Sequence, residues 1–173
     1  MSPNVTIRPF AAHEWPAYRD LRLRALADAP DAFGATLAAE AARPGGEWAE
    51  RLGAAARART ALPLLAEVGG EPVGLAWGRV EPADPDAVGL YQMWVAPEAR
   101  GRGVGEQLLN AVVEWAEGTG ARRVALGVTC GDTAARRLYA RAGFVPVGAP
   151  EPLRAGSALL CQRMERGVGA GAG

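Results

Sequence analysis

The stretch Met93-Trp94-Val95-Ala96-Pro97-Glu98-Ala99-Arg100-Gly101-Arg102-Gly103-Val104-Gly105 decides how this chain reads. An apolar run closes at Val95, and Pro97 stops it because proline has no N–H to give to a ladder. Arg100-x-x-Gly103-x-Gly105 then opens a segment in which Val104, Leu108, Leu109, Val112 and Trp115 recur at helical spacing. The glycines let the backbone turn sharply and come close to a ligand. A helix start presents unpaired N–H groups and partial positive charge. Residues Arg100 to Glu106 therefore predict a phosphate cradle, to which Arg100 and Arg102 would add charge-assisted bonds.

Two commoner phosphate motifs do not fit. A P-loop needs a lysine after its second glycine, and all nineteen basic residues of this chain are arginine. That absence also excludes a lysine Schiff base. A dinucleotide fingerprint needs a third glycine, and Glu106 stands in its slot.

A second motif lies downstream: Asp132-Thr133-Ala134-Ala135-Arg136-Arg137-Leu138-Tyr139-Ala140-Arg141-Ala142-Gly143-Phe144. Together, the two motifs resemble the GNAT superfamily of acetyl-CoA-dependent N-acetyltransferases. Its members commonly carry Gln/Arg-x-x-Gly-x-Gly/Ala after a strand, and later Asn-x-x-Ala-x-x-Leu-Tyr-x-x-x-Gly-Phe. The resemblance spans roughly Val5 to Met164, and its specific part is Leu90 to Phe144.

The resemblance implies an N-acetyltransferase that moves acetyl from acetyl-CoA directly to a primary amine of a small molecule or peptide. It implies that Arg100, Gly101, Arg102, Gly103, Val104, Gly105 and Glu106 grip the pyrophosphate. It implies that the backbone of Met93, Trp94 and Val95 pairs with pantetheine, on a strand splayed from its neighbour. Tyr139 maps to the acid that protonates the departing thiolate, its bland alternative being a core tyrosine. Asp132 stands where the family has asparagine. An ionised aspartate only accepts hydrogen bonds, so Asp132 reads either as a contact to the cofactor or as a helix N-cap.

The base is not identified. Many family members place a glutamate on the strand before the cradle, on the face of residues 89, 91 and 93. Those positions hold Gly89, Tyr91 and Met93. Glu40, Glu67, Glu71 and Glu81 are the nearest carboxylates in sequence, and each reads as a surface charge. The missing carboxylate sustains a rival reading, a non-catalytic acyl-CoA-binding sensor or regulatory module.

The totals bound the rest. At 173 residues the chain is long enough for one domain with a real core. Nineteen acidic and nineteen basic residues cancel, so nothing general argues for a nucleic-acid or membrane partner, and none is expected. No apolar run is long enough for a membrane span, and no leader pattern opens the chain, so a cytoplasmic location is expected. One histidine and two distant cysteines predict no metal site. A homodimer is left open.

Residues 1–166 read as a single domain and 167–173 as a glycine-alanine tail expected to be disordered. The order of alternating and helical stretches is β-α-α-β-β-β-α-β-α-β-β, an α+β pattern. The resemblance makes it a GNAT-like mixed, mostly antiparallel sheet flanked by helices. Residues 81–86 read as a turn, 31–46 as irregular with room for a short turn of helix, and 148–156 as a loop. The acceptor is expected between the first two helices and the loop Asp31 to Gly46, where Trp15, Trp48 and Trp77 either line it or belong to the core.

Overall fold

Alternating apolar residues produce eight strands, and three-to-four-residue repeats produce five helices, in the computed structural model, which describes residues 4–169. The strands are β1 (Val5–Pro9), β2 (Ala61–Val68), β3 (Glu71–Glu81), β4 (Asp84–Val95), β5 (Arg123–Thr129), β6 (Val145–Pro146), β7 (Glu151–Pro152) and β8 (Leu160–Gly167). The helices are α1 (Trp15–Asp28), α2 (Leu37–Ala41), α3 (Gly45–Arg57), α4 (Val104–Thr119) and α5 (Ala134–Arg141). The strands form one sheet in the order β1-β2-β3-β4-β5-β8-β6, with β7 also on β8. Every pairing is antiparallel except β4 with β5. This is the α+β, mostly antiparallel arrangement the sequence leads to.

Helices cover both faces. The α4 stripe Val104, Leu108, Leu109, Val112, Val113 and Ala116 is buried, and each large side chain in it contributes about 1.5–3 kcal/mol. Close approach needs small residues beneath it: a Cβ on Gly78 would lie 3.2 Å from the Trp115 ring and 3.3 Å from Val112. On the opposite face, Trp77 meets Tyr18 of α1 at a ring-centroid distance of 5.4 Å. Tyr18 in turn packs edge-on against Phe10 and Trp48.

Several local expectations change. The turn expected over 81–86 shrinks to Pro82 and Ala83, because Asp84 already pairs with Glu81 and its carboxylate holds Arg123. The short turn of helix allowed for in 31–46 is α2, whose N-cap Thr36 accepts from the Ala39 N–H at 3.2 Å. The 148–156 loop contributes β7. Asp132 does not cap α5: the cap is Thr133, whose hydroxyl accepts from the Arg136 N–H at 3.1 Å. The boundary drawn at 166 falls short, since Gly167 pairs with Arg123 and the Val168 N–H bonds the Arg122 carbonyl at 2.8 Å. Strand pairing uses backbone groups, which glycine also has. The remainder of the expected tail, 170–173, lies outside the described residues.

Candidate active site

The site begins where β4 and β5 part. Their parallel pairing covers only Ala87, Val88 and Gly89 against Arg123, Val124 and Ala125. Beyond it β5 stays paired to β8 as far as Thr129, while β4 runs on to Val95 beside β3. A bulge turns β4: between the pairs Trp77–Tyr91 and Leu75–Trp94 it carries one residue more than β3. Bulges bend a strand and increase its twist. Gln92 sits in the bulge at φ +56°, the only non-glycine residue with positive φ among those described. The Tyr18 hydroxyl donates to its Oε1 at 2.6 Å and holds it there. The bulge also breaks the alternation assumed for 89, 91 and 93. Tyr91 and Trp94 pair with residues two apart on β3, so they share a face that Met93, next to Trp94, does not follow.

The cradle occupies the mouth of this gap. Gly101 and Gly103 have φ of +79° and +78°, and a Cβ on either would meet nothing within 4 Å. No side chain caps α4, whose first backbone bond is Gln107 N–H to the Gly103 carbonyl at 3.0 Å. The N–H groups of Val104, Gly105 and Glu106 are thus outside the helical ladder. Gly105 is glycine for a different reason: its Cβ would lie 3.3 Å from Leu138 and 3.6 Å from Met93. A groove of about 410 Å³ runs along Met93, Trp94, Val95, Arg100, Gly101, Gly103, Val104, Gly105 and Glu106, and reaches Leu138 and Tyr139.

The predicted residues do not all converge. Arg100 borders the groove, but its guanidinium already donates to the Val95 carbonyl at 3.0 Å and to Asp28 at 2.5 Å. Asp28 also accepts from Trp94 Nε1 at 2.9 Å, and these two donors hold its carboxyl below the usual range. The end of α1 is thereby tied to both strand and cradle. Arg102 is exposed and Asp132 turns to solvent, where it pairs with Arg137 at 2.7 Å; neither lines the groove.

On the far side of Met93 and Tyr139 lies a larger cavity of about 790 Å³, enclosed by α1, residues 32–35, α3, β3, β4 and β5. Met93 and Tyr139 line both spaces. Tyr139 is 6% exposed, and burial raises its phenol far above the ordinary value, so it stays protonated at neutral pH. Of the three tryptophans, Trp77 lines this cavity, whereas Trp48 is fully buried in the core and Trp15 packs under Gly45. Cys161 reaches the cavity; Cys130 does not.

Sequence reasoning missed two features here. Glu81 is not a loose surface charge. Its carboxylate accepts from the Tyr91 hydroxyl and pairs with Arg79 at 3.3 Å. A side chain on residue 89 would collide with the Glu81 carboxylate and the Tyr91 ring, so Glu81 fills the room that Gly89 leaves. β4 carries no carboxylate at position 89, and the Glu81 carboxylate of β3 lies in the space beside it. The second feature is Arg22, which is 5% exposed and lines the large cavity. Arg22 lies on a face that the sequence does reveal, since Tyr18, Leu21, Arg22 and Ala25 fall at helical spacing, with a charge on the apolar stripe; the position of Glu81 leaves no such mark.

Residues 15–144 match the acetyltransferase (GNAT) family, and the chain belongs to that family of acyltransferases. A mycothiol acetyltransferase of Pseudarthrobacter chlorophenolicus is 31% identical over 144 residues, covering 81% of this chain and 42% of that protein. The chain thus spans less than half the length of that curated relative. A GNAT-family acetyltransferase from Streptococcus pneumoniae superposes with a TM-score of 0.81 at 21% identity, covering 96% of this chain and 100% of the other. A GNAT superfamily phosphinothricin acetyltransferase from Sinorhizobium meliloti, in complex with AcCoA, gives 0.79 at 20% identity over 97% and 90%. Among the described residues no helix is long and apolar enough to cross a membrane.

Proposed function

We propose that this chain transfers acetyl from acetyl-CoA directly to a primary amine. One observation carries the reading: the cradle groove and the larger cavity meet at Met93 and Tyr139, in the gap between β4 and β5. A donor lying along the cradle and an acceptor in the cavity would face each other there. The open Cβ positions of Gly101 and Gly103 and the unclaimed N–H groups opening α4 suit a pyrophosphate. The β5-facing backbone of Met93 to Val95 suits pantetheine.

Acetyl-CoA supplies a thioester-activated acyl group. The amine nitrogen bonds to the acyl carbon as the carbon–sulfur bond breaks, so one proton must leave nitrogen and one must reach sulfur. Tyr139, protonated and facing both spaces, gives the second. Glu81 takes the first through Tyr91: the amine proton passes to the phenol oxygen as the phenol proton passes to the carboxylate. Burial, followed by the hydrogen bond to Glu81, raises the Tyr91 phenol, which suits a relay that does not ionise.

The test is free-thiol release from acetyl-CoA over a broad panel of primary amines. Amine-dependent, multiple-turnover release supports the reading. Binding of acetyl-CoA with no release on any amine would favour the non-catalytic module instead.

A further inference from the structure

Arg22 is a buried cation with no anion bonded to it. Its Nε and one terminal nitrogen are buried and have no hydrogen-bond partner, and among the described residues it forms no ion pair. The guanidinium lies over the Phe33 ring at 4.6 Å, a contact that satisfies none of its in-plane N–H groups. Burial disfavours its charged form; Tyr18 and the nearby Glu40 carboxylate partly offset this without bonding to it, and Arg51 works against it. Buried charges are ordinarily paired, because an unpaired one forfeits its hydration.

The neighbours show that the deficit is specific. Three arginines, Arg22, Arg51 and Arg79, line the large cavity, and no aspartate or glutamate does. Arg51 is answered by Glu40 at 3.2 Å, and Glu40 is shared with Arg43 at 3.1 Å. Arg79 is answered by Glu81 at 3.3 Å. Arg22 alone is left. One positive charge is therefore left without a bonded partner at the wall of a half-open, partly apolar space, where a matching anion gains more than in bulk water.

We infer that the acceptor carries a carboxylate as well as its amine, and that Arg22 binds that carboxylate. A guanidinium is a strong partner for a carboxylate, and a single excess charge matches a monoanion better than a phosphate dianion. Arg22 stands on α1 and Tyr91 on β4, at different walls of the same cavity. A bound amino acid or short peptide could thus anchor its acid on Arg22 and offer its amine toward Tyr91 and Met93. Arg22 is then the specificity-determining residue of the acceptor site. This rests on the acetyl-transfer reading, which it deepens by naming the acceptor class.

The test uses the full chain saturated with acetyl-CoA, titrated calorimetrically with L-amino acids and dipeptides, each paired with its C-terminal amide. Thiol release is recorded separately on the same pairs. At least one acid should bind about 10- to 100-fold tighter than its amide. In Arg22→Gln that ratio should fall to near one, with the amide's affinity little changed. Equal affinity of acids and amides across the wild-type panel would overturn the inference without any variant. So would an undiminished preference in Arg22→Gln. Acid-selective binding with no thiol release would uphold the carboxylate site while refuting acetyl transfer, so the two failures are distinguishable.

Discussion

The proposed transfer moves two protons at named oxygens, and each can be tested by removing one. Tyr139→Phe keeps the ring against Phe144, at 6.0 Å between centroids, and removes only the hydroxyl. Turnover should fall about 100-fold, while acetyl-CoA affinity, followed by calorimetry, should hardly change. Full turnover would reduce Tyr139 to packing. Glu81→Gln preserves an acceptor for the Tyr91 hydroxyl but cannot take a proton. Its kcat should also drop about 100-fold, with cofactor affinity unchanged; a kcat equal to wild type would remove Glu81 from the reaction. Tyr139 was legible because it sits in a motif. Glu81 was not, because its role depends on a gap at Gly89, eight positions away and on the neighbouring strand. Arg22 was legible in principle, as a charge on an apolar helical stripe.

At the level of elements, the divergence of β4 and β5 makes the site, and the bulge at Gln92 aims it. Periodicity predicts the strands but not the bulge, since one extra residue in a strand leaves no mark on composition. The expectation that residues 89, 91 and 93 share a face failed for that reason. Residues 148–156 read as a loop, yet Leu153 among them lines the large cavity in which the acceptor is proposed to bind. Arg154 donates to the carbonyls of Pro30 and Phe33, both at 2.8 Å, and Gly34 at 3.3 Å. These bonds fasten the loop to residues 30–34, of which Ala32, Phe33 and Gly34 line that cavity. Arg154→Ala should raise the KM for the amine severalfold and leave acetyl-CoA affinity near wild type. Equal loss of both affinities in steady-state kinetics would mean that the loop supports the whole fold rather than the acceptor side.

The molecule as a whole hangs on a sheet whose first strand is clamped by charge. Arg8 on β1 bonds Glu14 at 2.8 Å and Glu67 at 2.7 Å. The Arg8 bond holds the Glu14 carboxyl down to about 2, against an ordinary value of 4.5. A carboxylate with a depressed folded-state pKa contributes stability that is complete above its unfolded pKa. That contribution is lost as pH falls through the folded value. Comparing melting temperatures, wild type should exceed Glu14→Gln by a constant margin above about pH 5.5, and the margin should close between about 4.5 and 2. A margin independent of pH would show that Glu14 acts by packing alone. The overall architecture was legible, because alternation and helical spacing are strong in β2, β3, α3 and α4 and both glycine motifs fall at element boundaries. The acceptor was not, because its cavity is assembled from α1, α3, β3, β4 and β5, which meet only in three dimensions.

All of this depends on the N-terminus of α4 being where the cofactor's pyrophosphate rests. Gly103 is the position to probe: its φ of +78° penalises any side chain, yet a Cβ there has open space. Asparagine and aspartate tolerate that backbone conformation comparably and are nearly the same size, so the two variants differ mainly in one negative charge. Acetyl-CoA should be titrated calorimetrically into wild type, Gly103→Asn and Gly103→Asp, with folding checked by circular dichroism. Gly103→Asp should bind at least about tenfold more weakly than Gly103→Asn, because its carboxylate repels the pyrophosphate in a partly desolvated groove. Equal affinities in two folded variants would contradict the placement of the cofactor on this helix.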